Sequence, residues 1–393
     1  MTAIRKNIWV NIVFFAVTTG FAVIGCPWYA FKMGLTPLEI GLTLFYMAAT
    51  GLGITAGYHR LFAHATYKAH PLVKLWFLFF GAAAFEQSAL MWSSQHRDHH
   101  RYVDTDKDPY SIKKGFFYAH MGWLVFWEHP MHYENAKDLQ KDFWVQHQHR
   151  HYLAWSVVSG IVAPVFIGAL FGHALGAFLF AVCLRLTVVY HSTFCINSVC
   201  HVFGKSTYDA NSTAKDHWLV ALITYGEGYH NFHHHFPVDY RNGIRWFDWD
   251  PSKWLIRTLA FLGLAQGLKR TSPFRIMEAR LAGDKVRAAQ ALAVLGTSGG
   301  IERAVDQLTQ YHHALRQMLA EWEDAVRNYH EIFRGQAALQ SQELKILALS
   351  KIREAQTSFK HAREKWNESM QFAPAQLREF LLGAKFESVL AAG

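Results

Sequence analysis

The chain has 393 residues, enough for two or three domains of ordinary size. Hydrophobic residues make up 51% of it, yet the mean hydropathy is only +0.01, because an apolar first part is averaged with a charged last part. The net charge of +9 fits an anionic membrane surface, an acidic protein or a phosphorylated ligand. We expect no binding to nucleic acid, because apolar segments dominate and no nucleic-acid-binding motif occurs.

The first two elements are predicted to form a membrane hairpin. Residues 8–31 are nearly all apolar and are long enough to cross a hydrocarbon core of ~30 Å. Residues 38–58 are a second apolar run of similar character. Basic residues collect on the cytoplasmic side of membranes, and Arg5, Lys6 and Arg60 flank the two free ends of this hairpin. Both ends are therefore expected in the cytoplasm.

Residues 71–92 are apolar enough to cross a membrane, but Lys74 and Glu86 interrupt the run. If this segment crossed, the histidines that begin at His96 would emerge on the side opposite His59, and one metal site could not use both. We therefore predict a helix that lies in the membrane interface or packs under the bundle.

A second membrane hairpin is predicted from residues 152–171 and 173–193. The short connection between them carries no Lys or Arg, as expected on the outer side. Arg185 lies within the fourth span, where a charge is costly, so it is expected to face the bundle interior and bond to backbone or a buried polar group. The fourth span returns Asn197 and His201 to the cytoplasmic side.

Histidines recur with the spacing of metal ligands. Residues three or four apart share a helix face, so each cluster is expected to direct its imidazoles to one point. Nine histidines are candidates, which is more than one ion can hold, so two metals are implied; imidazole suits iron, copper and zinc, and an all-imidazole cage suits iron that reduces dioxygen. Asn197, one helical turn before His201, can orient a metal-bound water. The candidates are His59, His64, His96, His99, His100, His201, His230, His233 and His234.

From about residue 272 the composition becomes that of paired helices outside the membrane. A first helix is predicted to end at Gly335, and a second, 339–372, to stop at Pro374. The first follows a heptad spacing, and the two form an antiparallel hairpin for packing or oligomerisation. The apolar positions are Ile301, Ala304, Leu308, Tyr311, Leu315, Met318, Trp322, Ala325, Tyr329 and Ile332 in the first, and Leu349, Ile352, Phe359, Ala362 and Trp366 in the second.

The predicted fold is therefore all-α. Residues 1–270 are expected to form an integral membrane four-helix bundle with a cytoplasmic histidine-rich cap. Residues 271–393 are expected to form a separate C-terminal helical hairpin resembling a coiled coil.

Four motifs in this order resemble the membrane fatty acyl desaturases of the stearoyl-CoA (delta-9) type, in a bacterial form, over residues 5–270. The resemblance implies four spans, a cytosolic di-iron site, and oxygen-dependent insertion of a cis double bond into a saturated acyl chain. The motifs are His59-Arg-Leu-Phe-Ala-His64, His96-Arg-Asp-His-His100, Asn197-Ser-Val-Cys-His201 and Gly226-Glu-Gly-Tyr-His-Asn-Phe-His-His234.

The resemblance also implies roles for individual residues. The nine histidines above are the metal ligands, Asn197 acts through water, and Gln87 and Trp92 contact the substrate. The cofactor is two iron ions, which zinc can replace in overexpressed protein. The active site is expected to face the cytoplasm at a bacterial inner (plasma) membrane, with the acyl chain running down between the helices.

Two departures leave questions of partners open. Ser94 and Gln95 stand where the animal enzymes have an Arg-Asp pair that helps to hold CoA, so the acyl carrier can be CoA, acyl carrier protein or a lipid. No haem, flavin or iron–sulfur motif occurs, so electrons are expected from a separate acidic carrier such as a ferredoxin or cytochrome b5. The basic residues expected to dock it are Arg97, Arg101, Lys107, Lys113, Lys114, Arg241 and Arg245.

Three other functions are compatible with parts of this pattern. A hydroxylase with the same histidine cage would insert oxygen rather than release only water. A metal transporter or storage protein would line a path across the bilayer with ligands, whereas all clusters are predicted on one side. An assembly protein organised by the C-terminal helices would not need the metal site at all.

Overall fold

The computed structural model describes residues 2–126, 131–296, 299–334 and 342–383. They fold into two compact units, one of residues 1–205 and 212–270, the other of residues 206–211 and 271–393. We call these the membrane unit and the C-terminal unit. Helix dominates both. The only strands among the described residues are Lys68–Ala69 and Ala265–Gln266, which pair antiparallel within the membrane unit.

Four helices are long and apolar enough to cross a membrane. They correspond to the four predicted spans, with ends that differ by a few residues. The largest difference is at the fourth, which continues to Val202 rather than ending at residue 193, so that Asn197 and His201 belong to it. The four spans are Trp9–Met33, Pro37–Ala63, Tyr152–Leu170 and Ala174–Val202.

Shorter helices complete the membrane unit, and polar residues cap several of their first turns. The Ser88 hydroxyl accepts from the backbone N–H of Met91, and the Asp142 carboxylate accepts from Trp144 and Val145. These helices are Pro71–Ala82, Ala89–Tyr102, Phe143–Arg150, Trp218–Ile223, His230–His235 and Pro251–Phe261. Single turns of helix lie at Ile112–Lys114, Tyr118–Gly122, Trp123–Val125, Glu134–Ala136 and Lys137–Gln140.

The expectation of one helix over residues 71–92 is wrong. The segment forms two helices, Pro71–Ala82 and Ala89–Tyr102, with a break between them. Phe85 and Gln87 lie in the break with φ of 57° and 78°, a left-handed conformation that ends a helix and is uncommon for residues other than glycine. The first helix has only 12 residues, which is short for a membrane crossing. Its place in the membrane interface stays a prediction.

The prediction for Arg185 is confirmed. Its side chain is fully buried, and its guanidinium donates to three backbone carbonyl oxygens: that of Ala181 at 2.9 Å, that of Gly160 at 2.8 Å, and that of Ala83. A guanidinium has five donors and no acceptor, so carbonyl groups are suitable partners where water is excluded. The residue thereby ties the fourth span to the third and to the end of helix Pro71–Ala82.

In its described residues the C-terminal unit contains four helices, so the predicted pair is present but two more helices accompany it. Pro374 stops no helix, because the second predicted helix ends at Ser369 and Pro374 begins another. The helices of this unit share one hydrophobic core, to which helix Pro273–Ala293 contributes buried Leu281, Ala288 and Leu292. The four helices are Pro273–Ala293, Gly299–Arg334, Gln342–Ser369 and Pro374–Gly383.

The heptad positions are only partly correct. Tyr311 and Trp366 stack at 5.4 Å in the centre of this core, and the other buried positions predicted from the spacing are Ile301, Ala304, Leu308, Leu315, Phe359 and Ala362. Leu349 is 37% exposed, so its assignment to the apolar seam is wrong. Gly335 and the Ile332 side chain lie outside the part of the chain that the structure describes.

The second span packs against helix Pro71–Ala82 at a distance that only glycine permits. A Cβ atom on Gly57 would lie 2.6 Å from Cβ of Phe77, and one on Gly81 would lie 2.3 Å from the ring of Tyr58. Both distances are far below van der Waals contact. The two glycines therefore allow close packing between the helix that carries His59 and the helix that precedes the second histidine cluster.

We predict that Gly57→Ala destabilises the protein by about 1–3 kcal/mol, because the added methyl group forces these two helices apart. Gly41→Ala in the same span is the control, because a Cβ there meets nothing within 4 Å. The control should be neutral or stabilising by up to about 1 kcal/mol, the difference in helix propensity. The measurement is the midpoint of unfolding in detergent; equal midpoints for the two variants would contradict the prediction.

Candidate metal centre

A wide helical turn brings the first pair of histidines together. Residues five apart on a regular α-helix point about 140° away from each other. Over Gly53–Ala63, however, the second span forms a π-helix, and the backbone N–H of His64 donates to the carbonyl oxygen of His59 at 3.0 Å. Hydrogen bonds between residues five apart place His59 and His64 above one another on one side of the helix.

The other two clusters each divide between two sites, so the expectation that each cluster serves one point is wrong. The division follows from helical phase. His96 and His100 are four apart and share a face, whereas His99 and His100 are adjacent and point about 100° apart. The same relation sends His233 away from the face of His230 and His234. The first site consists of His59, His64, His96, His100 and His233, and the second of His99, His201, His230 and His234.

In each site the ring nitrogens converge on one another. All ligand atoms within a site lie within 4.8 Å of each other. In the first site, Nε2 of His233 lies 2.9 Å from Nε2 of both His59 and His100, and Nε2 of His64 lies 2.8 Å from that of His96. In the second, the Nε2 of His230 lies 3.0 Å from those of His201 and His234.

These short distances between ring nitrogens fit a set of metal ligands, and hydrogen bonds between the rings cannot account for all of them. Nδ1 of His59 and of His99 donates to a carboxylate, so the Nε2 atom of each neutral ring carries a lone pair and no proton. One proton on His233 Nε2 cannot serve both of its neighbours. Imidazole nitrogens at ~2.0–2.1 Å from a metal and at right angles would lie ~3 Å apart, which is the spacing observed. The donor set therefore fits two metal ions.

Three outer partners fix the orientation of ligand rings, and none of them was predicted from the sequence to have this role. The Glu227 carboxylate accepts from His59 Nδ1 at 2.9 Å, the Asp108 carboxylate accepts from His99 Nδ1 at 2.9 Å, and Thr213 Oγ1 lies 2.7 Å from His201 Nδ1. Such partners orient a ring and hold its tautomer. Glu227 and Asp108 stand beside the histidine motifs, so proximity was the available signal, whereas nothing in the sequence pointed to Thr213.

Glu227 is itself held by a buried ion network. Its carboxylate lies 2.9 Å from the guanidinium of Arg60, which also pairs with Asp250 at 3.0 Å and donates to the Tyr240 carbonyl at 2.8 Å. Asn242 donates at 2.7 Å to the Glu227 oxygen that also accepts from His59. Burial raises the pKa of Glu227, but His59 and Arg60 outweigh that effect and hold the pKa below its ordinary value. Glu227 is therefore a carboxylate that only accepts hydrogen bonds.

Burial also sets the protonation of the ligands. It lowers the pKa of the ligand histidines outside the spans well below the ordinary value, and repulsion between neighbouring imidazoles adds to the effect. Neutral imidazole is the form that binds metal. The rings are thus ready to ligate at neutral pH. The residues are His64, His96, His100, His230, His233 and His234.

An apolar cavity lies beside both sites. Its volume is about 1240 Å³ including the open mouth, and its wall includes ligands of both sites, namely His59, His96 and His230. The predicted substrate residues Gln87 and Trp92 line it, as does Asn197. Its apolar lining includes Phe14, Phe15, Ile54, Phe85, Leu124, Val189, Tyr190, Phe194 and Ile196.

One carboxyl group in this wall was not foreseen as part of the site. Glu86 accepts from Trp92 Nε1 at 3.2 Å and from the Thr193 hydroxyl at 3.1 Å. Burial raises the pKa of Glu86 to about 7, because an apolar cavity disfavours the charged form. Trp92 stacks on the ligand His96 with ring centres 4.8 Å apart. Glu86 thus holds the indole that forms one wall of the cavity next to the first site.

Two histidines outside the recurring spacing lie outside both sites, as expected. His235 is exposed and packs against the ring of Phe236. His120 contacts Ser198 at 2.9 Å and His191 at 3.1 Å rather than either site. The spacing of the motifs therefore separates the clustered histidines from their neighbours.

We predict that Glu227→Gln weakens metal binding 10–100-fold, because the amide no longer holds the Nδ1 proton of His59 as a charged acceptor does. Glu39→Gln is the matched control: Glu39 is 1% exposed and Glu227 3%, and Glu39 bonds Tyr29 and Thr36 and contacts His173, which belongs to neither site. Both variants should lower stability, but only Glu227→Gln should lose metal in elemental analysis. Equal metal content in the two would contradict the role of Glu227.

Comparison with known proteins agrees with this geometry. A family model described as Fatty acid desaturase matches residues 37–265. The chain is 42% identical to Acyl-CoA desaturase 1 of Saccharomyces cerevisiae over 277 residues, which are 69% of this chain and 53% of that protein. It is 44% identical to a Probable acyl-CoA desaturase of Schizosaccharomyces pombe over 253 residues, 63% of this chain and 53% of that one.

An animal relative is covered more fully. Delta(9)-fatty-acid desaturase fat-6 of Caenorhabditis elegans is 34% identical over 269 residues, 67% of this chain and 79% of that protein. The chain spans about half the length of the two yeast relatives. All three relatives are eukaryotic, so they give no support to a bacterial form of the family. Because the family model covers more than half of the chain and includes all nine histidines of the two sites, this protein belongs to the fatty acid desaturase family.

Proposed function

We propose that this chain is an oxygen-dependent fatty acyl desaturase that inserts a cis double bond at the delta-9 position of a saturated acyl chain. The observation that carries the proposal is the pair of imidazole sites that share one wall of an apolar cavity. A long acyl chain has no polar group at its middle carbons. Only an apolar cavity that passes beside the metals can bring such a carbon to the reacting centre.

The proposed cofactor is two iron ions, one in each site, which zinc can replace in overexpressed protein. The nine histidines are the proposed ligands, with Asn197 acting on the metals through water from the cavity wall. Iron in these sites would supply the binding and reduction of dioxygen that C–H oxidation needs. The chain's own residues contribute ring orientation, through Glu227 and Asp108, and exclusion of bulk water from a buried cage.

The proposed substrate is an acyl-CoA, the class named in the two yeast relatives. Gln87 and Trp92 are proposed to contact the acyl chain. Ser94 is at one of the two positions that differ from the animal enzymes, and its hydroxyl lies 2.6 Å from the His132 carbonyl oxygen and 2.8 Å from the Asn135 amide oxygen. The Ser94 hydroxyl is therefore bonded within the protein. Acyl carrier protein and lipid are alternative carriers of the acyl chain, and the assay below distinguishes them from CoA.

Electrons must come from outside the described residues. Forming the double bond removes two electrons and two protons from the acyl chain, and reduction of dioxygen to two waters takes four electrons. A separate donor, a ferredoxin or cytochrome b5, is proposed to deliver the other two. Arg97 pairs with Asp138, and Arg241 is buried against Asp239, so both are withdrawn from the proposed docking surface. Arg101, Lys107, Lys113, Lys114 and Arg245 are exposed and remain in it.

The proposed location is a membrane crossed by four spans arranged as a bundle, with the histidine sites at its cytoplasmic face. The basic residues that flank the spans support this orientation. A bacterial inner membrane remains part of the prediction. We also propose that residues 1–270 are the desaturase domain and that residues 271–393 are a helical extension used for packing or oligomerisation.

The central prediction compares two adjacent histidines. His233→Ala should abolish desaturation and lose metal, because it removes an imidazole from the first site. His235→Ala should retain both, because His235 is exposed and outside the sites. Purified variants are supplied with stearoyl-CoA, stearoyl acyl carrier protein or stearoyl phospholipid and a reduced donor. Product is identified by mass spectrometry, and metal per chain by elemental analysis.

Each outcome of that assay has a meaning. A hydroxylated acyl product would replace the desaturase by a hydroxylase, and turnover without any donor protein would remove the proposed donor. Metal binding without product on any carrier would favour metal transport or storage. Loss of metal in His235→Ala but not in His233→Ala would contradict the assignment of the third cluster. Asn197→Ala should keep metal and retain partial activity if Asn197 acts through water.

The proposed topology has its own test. Reporter fusions after Lys32 and after Gly172 should lie outside, because Lys32 is at the end of the first span and Gly172 follows the third. A fusion after Trp92 should lie in the cytoplasm, because helix Pro71–Ala82 is too short to cross. The fusion sites are compared by a reporter that is active on only one side of the membrane. An external position for the Trp92 fusion would overturn the placement of both sites on one face.

A further inference from the structure

One loop of the membrane unit, residues 103–111, provides partners to histidines of both sites. Asp108 accepts from Nδ1 of His99 at 2.9 Å, and the Tyr110 hydroxyl lies 3.5 Å from Nδ1 of His96. Asp104, at the start of the loop, touches no histidine directly. It is connected to the second site through the side chain of Thr213, which lies more than a hundred residues later in the chain.

The connection runs through two short hydrogen bonds. Oγ1 of Thr213 lies 2.7 Å from Nδ1 of His201 and 2.5 Å from Oδ1 of Asp104. The other oxygen of Asp104 accepts from the backbone N–H of Thr213 at 2.9 Å. Both carboxylate oxygens of Asp104 therefore hold the same residue, which fixes the position of the Thr213 hydroxyl.

The direction of each bond follows from proton counting. A carboxylate only accepts, so the single proton of the Thr213 hydroxyl must point to Asp104. The hydroxyl oxygen can then only accept from His201, and Nδ1 of His201 must carry the proton. A neutral imidazole has one N–H, so Nε2 of His201 is left with a lone pair. That atom faces Nε2 of His230 at 3.0 Å inside the second site.

We propose that Asp104 is a positioning residue for the second metal site, which acts through Thr213 to hold His201 in the tautomer whose Nε2 can bind metal. The proposal rests on the proposed function for the presence of a metal in that site. It differs from the arrangement at the first site, where a buried carboxylate, Glu227, contacts His59 without an intermediate. Asp104 is partly exposed, and the chain holds it in a left-handed conformation with φ of 63°.

Loss of the relay should affect one site and spare the other. Without the hydroxyl of Thr213, His201 can rotate or place its proton on Nε2, which removes a ligand from the second site. None of the hydrogen bonds of Thr213 or Asp104 reaches a histidine of the first site. A residue with a general structural role would instead loosen both sites together.

The test is the release of iron from the full chain in detergent during competition with a soluble chelator, measured as iron per chain. Thr213→Val removes the hydroxyl with little change in shape and should weaken one of two irons 10–100-fold, leaving the other as in the unmutated chain. Thr213→Ser restores a hydroxyl and should therefore restore the slower release of iron seen in the unmutated chain. Asp104→Asn should act in the same direction as Thr213→Val, because the amide is a weaker acceptor.

Asp106→Asn is the matched control, because Asp106 is exposed in the same loop. Parallel release of both irons in Thr213→Val, unchanged release in that variant, or an Asp104→Asn profile equal to that of Asp106→Asn would each overturn the proposal. Unfolding midpoints show which variants fold, and Asp104→Asn decides the matter if Thr213→Val does not. An unmutated chain that holds fewer than two metals would overturn the proposed function itself. If the unmutated chain holds two irons and the substitutions change the release of neither, only the proposal for Asp104 fails.

Discussion

The hydrogen bond from Nδ1 of His59 to the Glu227 carboxylate is the interaction on which the metal centre depends most. It joins the second span to the segment that carries the third histidine cluster, and it leaves a lone pair on Nε2 of His59. A carboxylate buried to this extent is costly unless charge and hydrogen bonds compensate it. Arg60 and Asn242 provide that compensation, and Asp250 holds the other side of the Arg60 guanidinium, so the cage rests on a network of buried charges.

That network sets requirements for the rest of the membrane unit. Arg60 adjoins His59 on the same wide helical turn, so the turn that aligns His59 with His64 also places the guanidinium between Glu227 and Asp250. The same turn packs closely against helix Pro71–Ala82, and Gly57 and Gly81 allow this packing. Fold and site are therefore coupled at the end of the second span that carries His59 and Arg60.

The two sites differ in how their ligands are held. In the first, a fully buried carboxylate and guanidinium orient His59, with little access to solvent. In the second, His99 is hydrogen-bonded to Asp108, and His201 is connected through Thr213 to Asp104. Asp104 and Asp108 belong to one loop, residues 103–111. The apolar cavity touches ligands of both sites. An acyl chain in it would lie beside one site that buried charges support and another of which one support, Asp104, is partly exposed.

The amino-acid sequence by itself determined the parts of this protein that rest on composition and short-range spacing. Apolar length is a direct requirement of the bilayer, so the four spans were readable within a few residues except for the end of the fourth. The interior place of Arg185 followed from the cost of a charge among apolar residues. The nine histidines that the sites bring together were also apparent, because imidazoles rarely recur with such spacing for packing alone.

Only the tertiary structure decided how these parts combine. The division of two clusters between two sites depends on the phase of each helix against its partners, and the pairing of His59 with His64 depends on a wide turn that spacing does not encode. The break near Phe85 and two helices of the C-terminal unit, Pro273–Ala293 and Pro374–Gly383, were missed because propensity describes single segments. Thr213 was missed for a related reason: a hydrogen bond to a distant residue leaves no local signal, because the chain that brings the two together must first fold.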